Sequence, residues 1–421
     1  MMIQTFAGRA VRCSIARAVL VVLAAAAIMA LPAQAQRLGP PVKRPALRDV
    51  TDTNDAHAYF NLGLERFELN ADEASAAFYW AARINPAWGE PIYARRAALI
   101  MSDRGLLKNV MEGTRRTLES PEMRRLDSLQ LRALFASPFL YRQLDRPMFL
   151  TYFKESVKRD IRSRGGNDQA GDLDYAIDGY LRTSGEYTRG WMAYGAGDFT
   201  SALTHYALAV GAARDKASIR IERARILAMQ GQAASAIAEF KLALDEMRTK
   251  DQKDLVVFYN SKALAEYSIG VLQEGAGDAA AARESYGRAL TEDLAYYPAH
   301  TRLGLLALGT HDTATAISEL ALSAQLAPDE PHVHYLNGFV LAHSNRAADG
   351  VTALKKAVEL EPYYALPYLL LGQVYEQLGK GPEALAAYQG FLARASAGDG
   401  QRAYAMERAG ELKEILAVGK P

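Results

Sequence analysis

PHVHYLNGFVLAHSNRAADGVTALKKAVELEPYY (residues 331–364) is followed directly by ALPYLLLGQVYEQLGKGPEALAAYQGFLARASAG (365–398), and laying the second stretch over the first decides the fold. Gly338 falls on Gly372, Asn345 on Gly379, Gly350 on Ala384, Leu354 on Tyr388 and Ala357 on Phe391. Within each stretch apolar residues return every three or four positions, which is helical spacing, and strand-like alternation is absent. Each stretch therefore reads as two helices joined by a short turn at Asn345 or Gly379.

The same register extends towards the N-terminus. Gly197, Gly231, Gly277, Asn345 and Gly379 each precede, by five residues, Ala202, Ala236, Ala282, Gly350 and Ala384. Tyr206, Phe240, Tyr286, Leu354 and Tyr388 come next, then Ala209, Ala243, Ala289, Ala357 and Phe391. Upstream of the turns, small residues recur at Gly190, Ala224, Gly270, Gly338 and Gly372, and the intervening block of Gly304, Ala316, Leu320 and Pro328 fits with His311 in its turn. Two antiparallel helices approach closely only where one is small, and a large residue on the other fills the hole. Turn residues with little or no β-carbon constraint permit the reversal, and a proline ends the second helix. Pro328 and Pro362 are expected to end second helices, and Pro298 to do so after a slightly lengthened one.

This pattern resembles the tetratricopeptide repeat, a helix–turn–helix of 34 residues with small residues at fixed offsets. The resemblance covers 183–216, 217–250, 263–296, 297–330, 331–364 and 365–398. In the first of these, Glu186 and Arg189 stand at positions that are usually apolar. An N-terminal copy is read from Tyr59, Leu62, Gly63, Ala74, Phe78, Ala81 and Pro86, and a worn one from Glu90, Tyr93, Ala97, Gly105 and Pro121. Residues 122–182 are helical by pattern but match no repeat. The resemblance implies an all-α, right-handed α-solenoid, closed by a capping helix whose stripe is Ala405, Ala409, Leu412 and Leu416.

The ends and seams divide the chain further. Residues 1–35 have the form of a signal peptide: Arg9, Arg12 and Arg17, then the apolar run Ala18–Leu31, then Ala33-Gln34-Ala35 as a cleavage point. That run is shorter than the roughly 20 residues that span a bilayer. Residues 36–55 are Pro-rich and read as an extended linker. An N-terminal helical region over 56–165, a repeat array over 166–398 and a cap over 399–421 complete the division, with a seam at the Gly-Gly-Asn-Asp of 165–168. The only cysteine, Cys13, lies in the signal segment, so the processed chain would form neither a disulfide nor a thiolate metal site. The expected destination is a bacterial periplasm, with cleavage near Ala35 and no integral membrane span afterwards.

Composition narrows the function. Of 421 residues, half are apolar and 23% charged, which is globular usage. Lys and Arg number 49 against 48 Asp and Glu, and loss of the three signal-peptide arginines leaves a net charge near −2. No basic field favours nucleic acid. The sequence holds no GxxxxGK[ST], HExxH or GxSxG motif, so no catalytic residue, cofactor or metal is assigned. Five of seven histidines fall within 300–343, yet His332 and His343 are about 16 Å apart along one helix and cannot share an ion. His300 and His334 share a repeat position, which argues for a structural role.

The resemblance places a ligand groove on the leading helices. Carried onto this chain it selects Tyr187, Trp191, Tyr194, Ile221, Arg225, Tyr267, His332, Tyr335, Phe339, His343, Leu366 and Leu369. Aromatic anchors on a concave surface suit an apolar or extended peptide. The expected function is a non-catalytic protein-interaction scaffold of the cell envelope, binding a protein or peptide partner within an envelope complex. The alternative is a glycan-handling scaffold in exopolysaccharide or cell-envelope assembly. The Lys and Asn clamp with which the family holds acidic tails is missing from these positions.

Overall fold

The computed structural model describes residues 42–47, 52–112, 120–163, 173–250 and 261–418. The chain divides into two compact units after Pro41, and all described residues belong to the second. The signal-peptide segment, part of the linker and the seam at 165–168 lie outside them. The described residues form helices and connecting turns, with no strand among them.

Among the described residues seven helices come before the regular repeats: α1 Ala56–Arg66, α2 Ala71–Ile84, α3 Gly89–Ser102, α4 Arg104–Glu112, α5 Pro121–Ala136, α6 Asp145–Ser163 and α7 Leu173–Thr183. Six helix pairs follow. They are α8 Glu186–Gly195 with α9 Phe199–Ala212, α10 Lys216–Met229 with α11 Ala233–Lys250, and α12 Lys262–Gly275 with α13 Ala279–Glu292. Then come α14 Tyr297–Gly309 with α15 Thr313–Leu326, α16 Pro331–Ala342 with α17 Ala347–Leu360, and α18 Leu366–Gln377 with α19 Gly381–Leu392. Helix α20, Arg402–Val418, closes the row. From α8 onward each helix packs on its neighbours in sequence, and α16 also touches α18, so the leading helices stack as an inner layer.

The repeat register is visible atom by atom. A Cβ built on Gly190, Gly270 or Gly372 would lie 2.4–2.6 Å from the ring of Tyr206, Tyr286 or Tyr388. At Gly304 and Gly338 it would meet Leu320 and Leu354 at 2.7 and 2.6 Å, and at Gly63 it would meet Phe78 at 2.3 Å. The small residue is therefore required by contact. The six turn residues Gly197, Gly231, Gly277, His311, Asn345 and Gly379 all take positive φ, between 56° and 83°. After three of them an aspartate caps the next helix: Asp198, Asp278 and Asp312 accept the N–H of Ser201, Ala281 and Thr315.

Three details differ from expectation. Pro298 does not end a helix: α13 stops at Glu292, capped by Asp293, and Pro298 sits in the first turn of α14. A proline is tolerated there because the first N–H groups of a helix have no partner within it. Gly105, one of the residues of the expected worn repeat, lies inside the first turn of α4. The Asp103 carboxylate accepts the N–H of Gly105 and of Leu106, so a new helix starts at once and no hairpin forms. Pro121 likewise opens α5. Helix α3 accordingly packs between α2 and α5. At the far end α20 turns Ala405 and Leu412 onto α19, leaving Met406 and Ile415 exposed beside its charges. No helix among the described residues is long and apolar enough to cross a membrane.

Candidate functional site

The leading helices and the loops before them form a surface that the chain itself occupies. The described residues within 42–163, the arm, lie along the array in reverse order. At the last repeat, Asp52 accepts the N–H of Ala397 at 2.6 Å and the Asn54 amide donates to the Ala393 carbonyl at 3.0 Å. Before α18, Trp80 meets the edge of Tyr363 at 4.7 Å, and Arg83 donates to both oxygens of Glu361 at 3.0 and 3.1 Å. Before α16, Arg132 donates to Glu330 at 3.0 Å. Phe135 packs edge-on against Tyr296 and Tyr297 at 5.0 and 5.4 Å, and Tyr267 donates to its carbonyl at 3.4 Å. Phe139 reaches Phe240, and Phe149 meets Trp191 of the first repeat at 4.8 Å. The part of the linker that is described belongs to this arrangement: Arg44 lies over the rings of Tyr59, Trp80 and Tyr363, and the Val42 carbonyl accepts from the Trp80 indole.

Between α5 and α6 the arm is a non-helical loop, Ser137–Leu144, laid across the first two repeats. The Tyr141 hydroxyl donates to the carbonyls of Tyr194 and Gly195 at 3.0 and 3.1 Å, and its ring packs edge-on against Tyr194 and Phe199. Arg142 gives its backbone N–H to the Tyr194 hydroxyl at 3.0 Å and its guanidinium to Glu222 at 2.6 Å. Arg225 donates to Glu222 at 3.2 Å, and Asp145 lies 3.9 Å from Arg142. Two cations and two carboxylates thus alternate in a buried row. Burial would raise the Glu222 carboxyl, but Arg142 and Arg225 outweigh it and hold it below its ordinary range. Burial wins at Asp145, whose carboxyl is pushed up while the Tyr93 hydroxyl donates to it.

The selected groove residues divide accordingly. Tyr194, Ile221, Arg225, Tyr267 and Leu369 are buried. Trp191, His332, Tyr335 and Phe339 are half-buried, and Tyr187, His343 and Leu366 are exposed. Among them Trp191, Tyr194 and Tyr267 touch the arm directly. His332 accepts or donates with the Tyr364 hydroxyl at 3.0 Å, and burial, helped by Arg302, lowers its imidazole to about 4. It lines a cavity of about 220 Å³ left between arm and array, with Arg132, Phe135, Tyr267, Tyr297 and Leu305. Leu366 and Leu369 belong to the last repeat, and Phe339 lies against His343 at 4.3 Å. The histidines read as structural equivalents act as such. His300 and His334 each reach the carbonyl six residues earlier, at Leu294 and Pro328, as the Tyr368 hydroxyl does at Pro362. Among the described residues no group of three or more His, Cys, Asp or Glu is arranged to hold a metal ion.

Sequence reasoning missed Glu222, Phe240, Glu330, Glu361 and Tyr363 on the array, and Phe135, Phe139, Tyr141 and Arg142 on the arm. The one available signal was the run SPFLYRQLD at 137–145, where proline, two aromatics and an arginine interrupt helical spacing in a region matching no repeat.

Comparison with known proteins adds the following. The tetratricopeptide repeat family model matches residues 187–251 and 340–400. No curated protein matches the sequence. Solved structures similar to this chain include "Crystal structure of MamA", at 19% identity and a TM-score of 0.35 over 41% of this chain and 93% of that one. "MamA 41-end from Desulfovibrio magneticus RS-1" is similar at 19% identity and a TM-score of 0.36, over 42% and 94%. YrrB, described as a TPR protein with an unusual peptide-binding site, is similar at 17% identity and a TM-score of 0.38, over 50% and 97%. With two regions matched, positive-φ turns in all six helix pairs and close glycine contacts in five of them, the array from α8 to α19 is built of tetratricopeptide repeats.

Proposed function

We propose that this protein is a non-catalytic interaction scaffold of the bacterial cell envelope, exported on its N-terminal signal and binding a partner protein on the inner face of its repeats. One observation carries the reading: that face already holds an irregular, non-helical segment of polypeptide, Ser137–Leu144, through aromatic edges, carbonyl contacts and a buried ion row. A surface that orders eight residues of irregular chain by their side chains has the chemistry of peptide recognition. The aromatics of the first two repeats are spent on protein contacts, which favours a polypeptide over a glycan.

The test is photo-cross-linking in the native envelope from position 187, where Tyr187 is 49% exposed at the open edge of the face. The expected result is a discrete protein adduct that is absent when the cross-linker stands at position 69, on the exposed Leu69 of the arm. The same adducts from both positions would sink the reading. Export is tested separately by fractionation and N-terminal sequencing, with Gln36 expected as the first residue of the mature chain.

A further inference from the structure

We propose that the loop Ser137–Leu144 stands in for the partner's binding segment, and that the groove takes in trans a non-helical peptide with two aromatics separated by one residue and followed directly by arginine. The inference rests on the scaffold reading above and specifies its ligand. Three observations carry it.

First, the loop is held by what its side chains are, at successive places. Phe139 faces Phe240, Tyr141 fits between Tyr194 and Phe199, and Arg142 reaches Glu222. Apart from the helix-end bonds of Ser137 to Ala133 and Met148 to Leu144, its backbone makes the turn bonds Leu140 to Ser137 and Asp145 to Arg142, at 3.2 Å each. Little regular backbone bonding opposes opening of its central residues, where local opening follows sparse bonding, while Leu144 stays anchored in the arm's own core.

Second, the first repeat departs from its siblings at the place the loop docks. In the third and sixth repeats a glutamate on the leading helix accepts the buried tyrosine hydroxyl: Tyr286 to Glu274 at 2.5 Å and Tyr388 to Glu376 at 2.6 Å. In the first repeat Tyr194 holds that position. Its hydroxyl turns outward to the Arg142 N–H, and the buried Tyr206 hydroxyl is left with no partner. An internal hydrogen bond is given up in favour of one that reads an incoming backbone.

Third, the charges match only when arginine follows the second aromatic. The groove supplies Glu222 and Arg225, and the arm supplies Arg142 and Asp145. A peptide without that arginine would bury Glu222 with one cation instead of two, which is costly at low exposure.

The experiment uses the full mature chain and two fluorescein-labelled peptides: SPFLYRQLD, and the same peptide with alanine at both aromatics and the arginine. Binding is read by anisotropy. Relative to wild type, the Tyr141→Ala chain is expected to bind the first peptide at least tenfold more tightly, because its resident loop competes less. Adding Glu222→Gln should abolish that gain. Equal affinity for both peptides, or no gain in a Tyr141→Ala chain of unchanged helicity, overturns the proposal. Should Tyr141→Ala fail to fold, hydrogen exchange on the wild type decides. Loop amides that exchange faster than those of α5 and α6 support it, and loop amides that open only with global unfolding overturn it. A cross-linked partner whose capture is indifferent to Tyr141→Ala leaves the scaffold reading standing while this inference falls.

Discussion

Gly372 has 2.6 Å between the point a Cβ would occupy and the Tyr388 ring, and that ring is fully buried and hydrogen-bonded to Glu376. The ring cannot yield without giving up its bond. Gly372→Val is therefore expected to cost about 1–3 kcal/mol through overpacking, read as a lower midpoint in urea. Gly287, in the middle of α13, has nothing within 4 Å of its Cβ position and no positive φ. Gly287→Ala should stabilise by about 0.4–1 kcal/mol, since alanine restricts the unfolded chain. Equal effects of the two substitutions would refute the register. His332 gives a second residue-level expectation. Its imidazole is lowered from 6.5 to about 4 by burial and by Arg302, so the native state resists protonation more than the unfolded chain does. Stability from this group is thus fully present above about pH 6.5 and is lost as pH falls towards 4, by at most about 3 kcal/mol. In His332→Gln the difference from wild type should change across that window; parallel stability curves would contradict the burial described.

At the scale of helices, the six regular repeats are legible in the sequence because their constraints act within a single repeat. A glycine beneath a tyrosine ring and a positive-φ turn leave their mark at fixed offsets, as Gly270, Tyr286 and Gly277 do. The arm is not legible in this way. Phe135 and Tyr296, or Arg83 and Glu361, are joined across long sequence separations with no periodicity, and one sequence carries no record of which carboxylate an arginine finds. For the same reason the leading-helix positions are legible as an inner surface, while the occupant of that surface is not. The terminal helix α20 shows what local reading does achieve. Leu412 lies on the predicted stripe and is 8% exposed, whereas Ile415, one turn on, is 65% exposed. Leu412→Ala is expected to cost about 2–5 kcal/mol, towards the lower end if α20 frays before the rest. Ile415→Ser should stay within about 0.5 kcal/mol. Thermal melts of the two variants check this, and a larger loss from Ile415→Ser would mean the helix is rotated from the orientation described.

On the scale of the whole described unit, the arm changes what kind of object the array is. A simple solenoid is held by nearest-neighbour interfaces, so its ends can fray and its repeats can unfold in succession. Here the arm touches the last repeat through Asp52 and Asn54, the junctions before α18 and α16 through Arg83 and Arg132, and the first repeat through Phe149. Each contact links elements far apart in the row, so loss of one repeat weakens arm contacts at the others. The two junction pairs are buried on both sides, with side-chain exposures of 15% and 8% for Arg83–Glu361 and 10% and 11% for Arg132–Glu330. Removing one partner from such a pair leaves an uncompensated charge and costs about 3–5 kcal/mol. The wild-type chain is accordingly expected to unfold in urea as a single transition, with hydrogen exchange in α9 and α19 giving the same midpoint. Glu330→Ala combined with Glu361→Ala should separate those midpoints, because both junctions then bury an arginine without its carboxylate and the coupling of the arm to the later repeats is weakened. Distinct midpoints already in the wild type, or coincident ones in the double variant, would show that the arm rests on the array without tying it together.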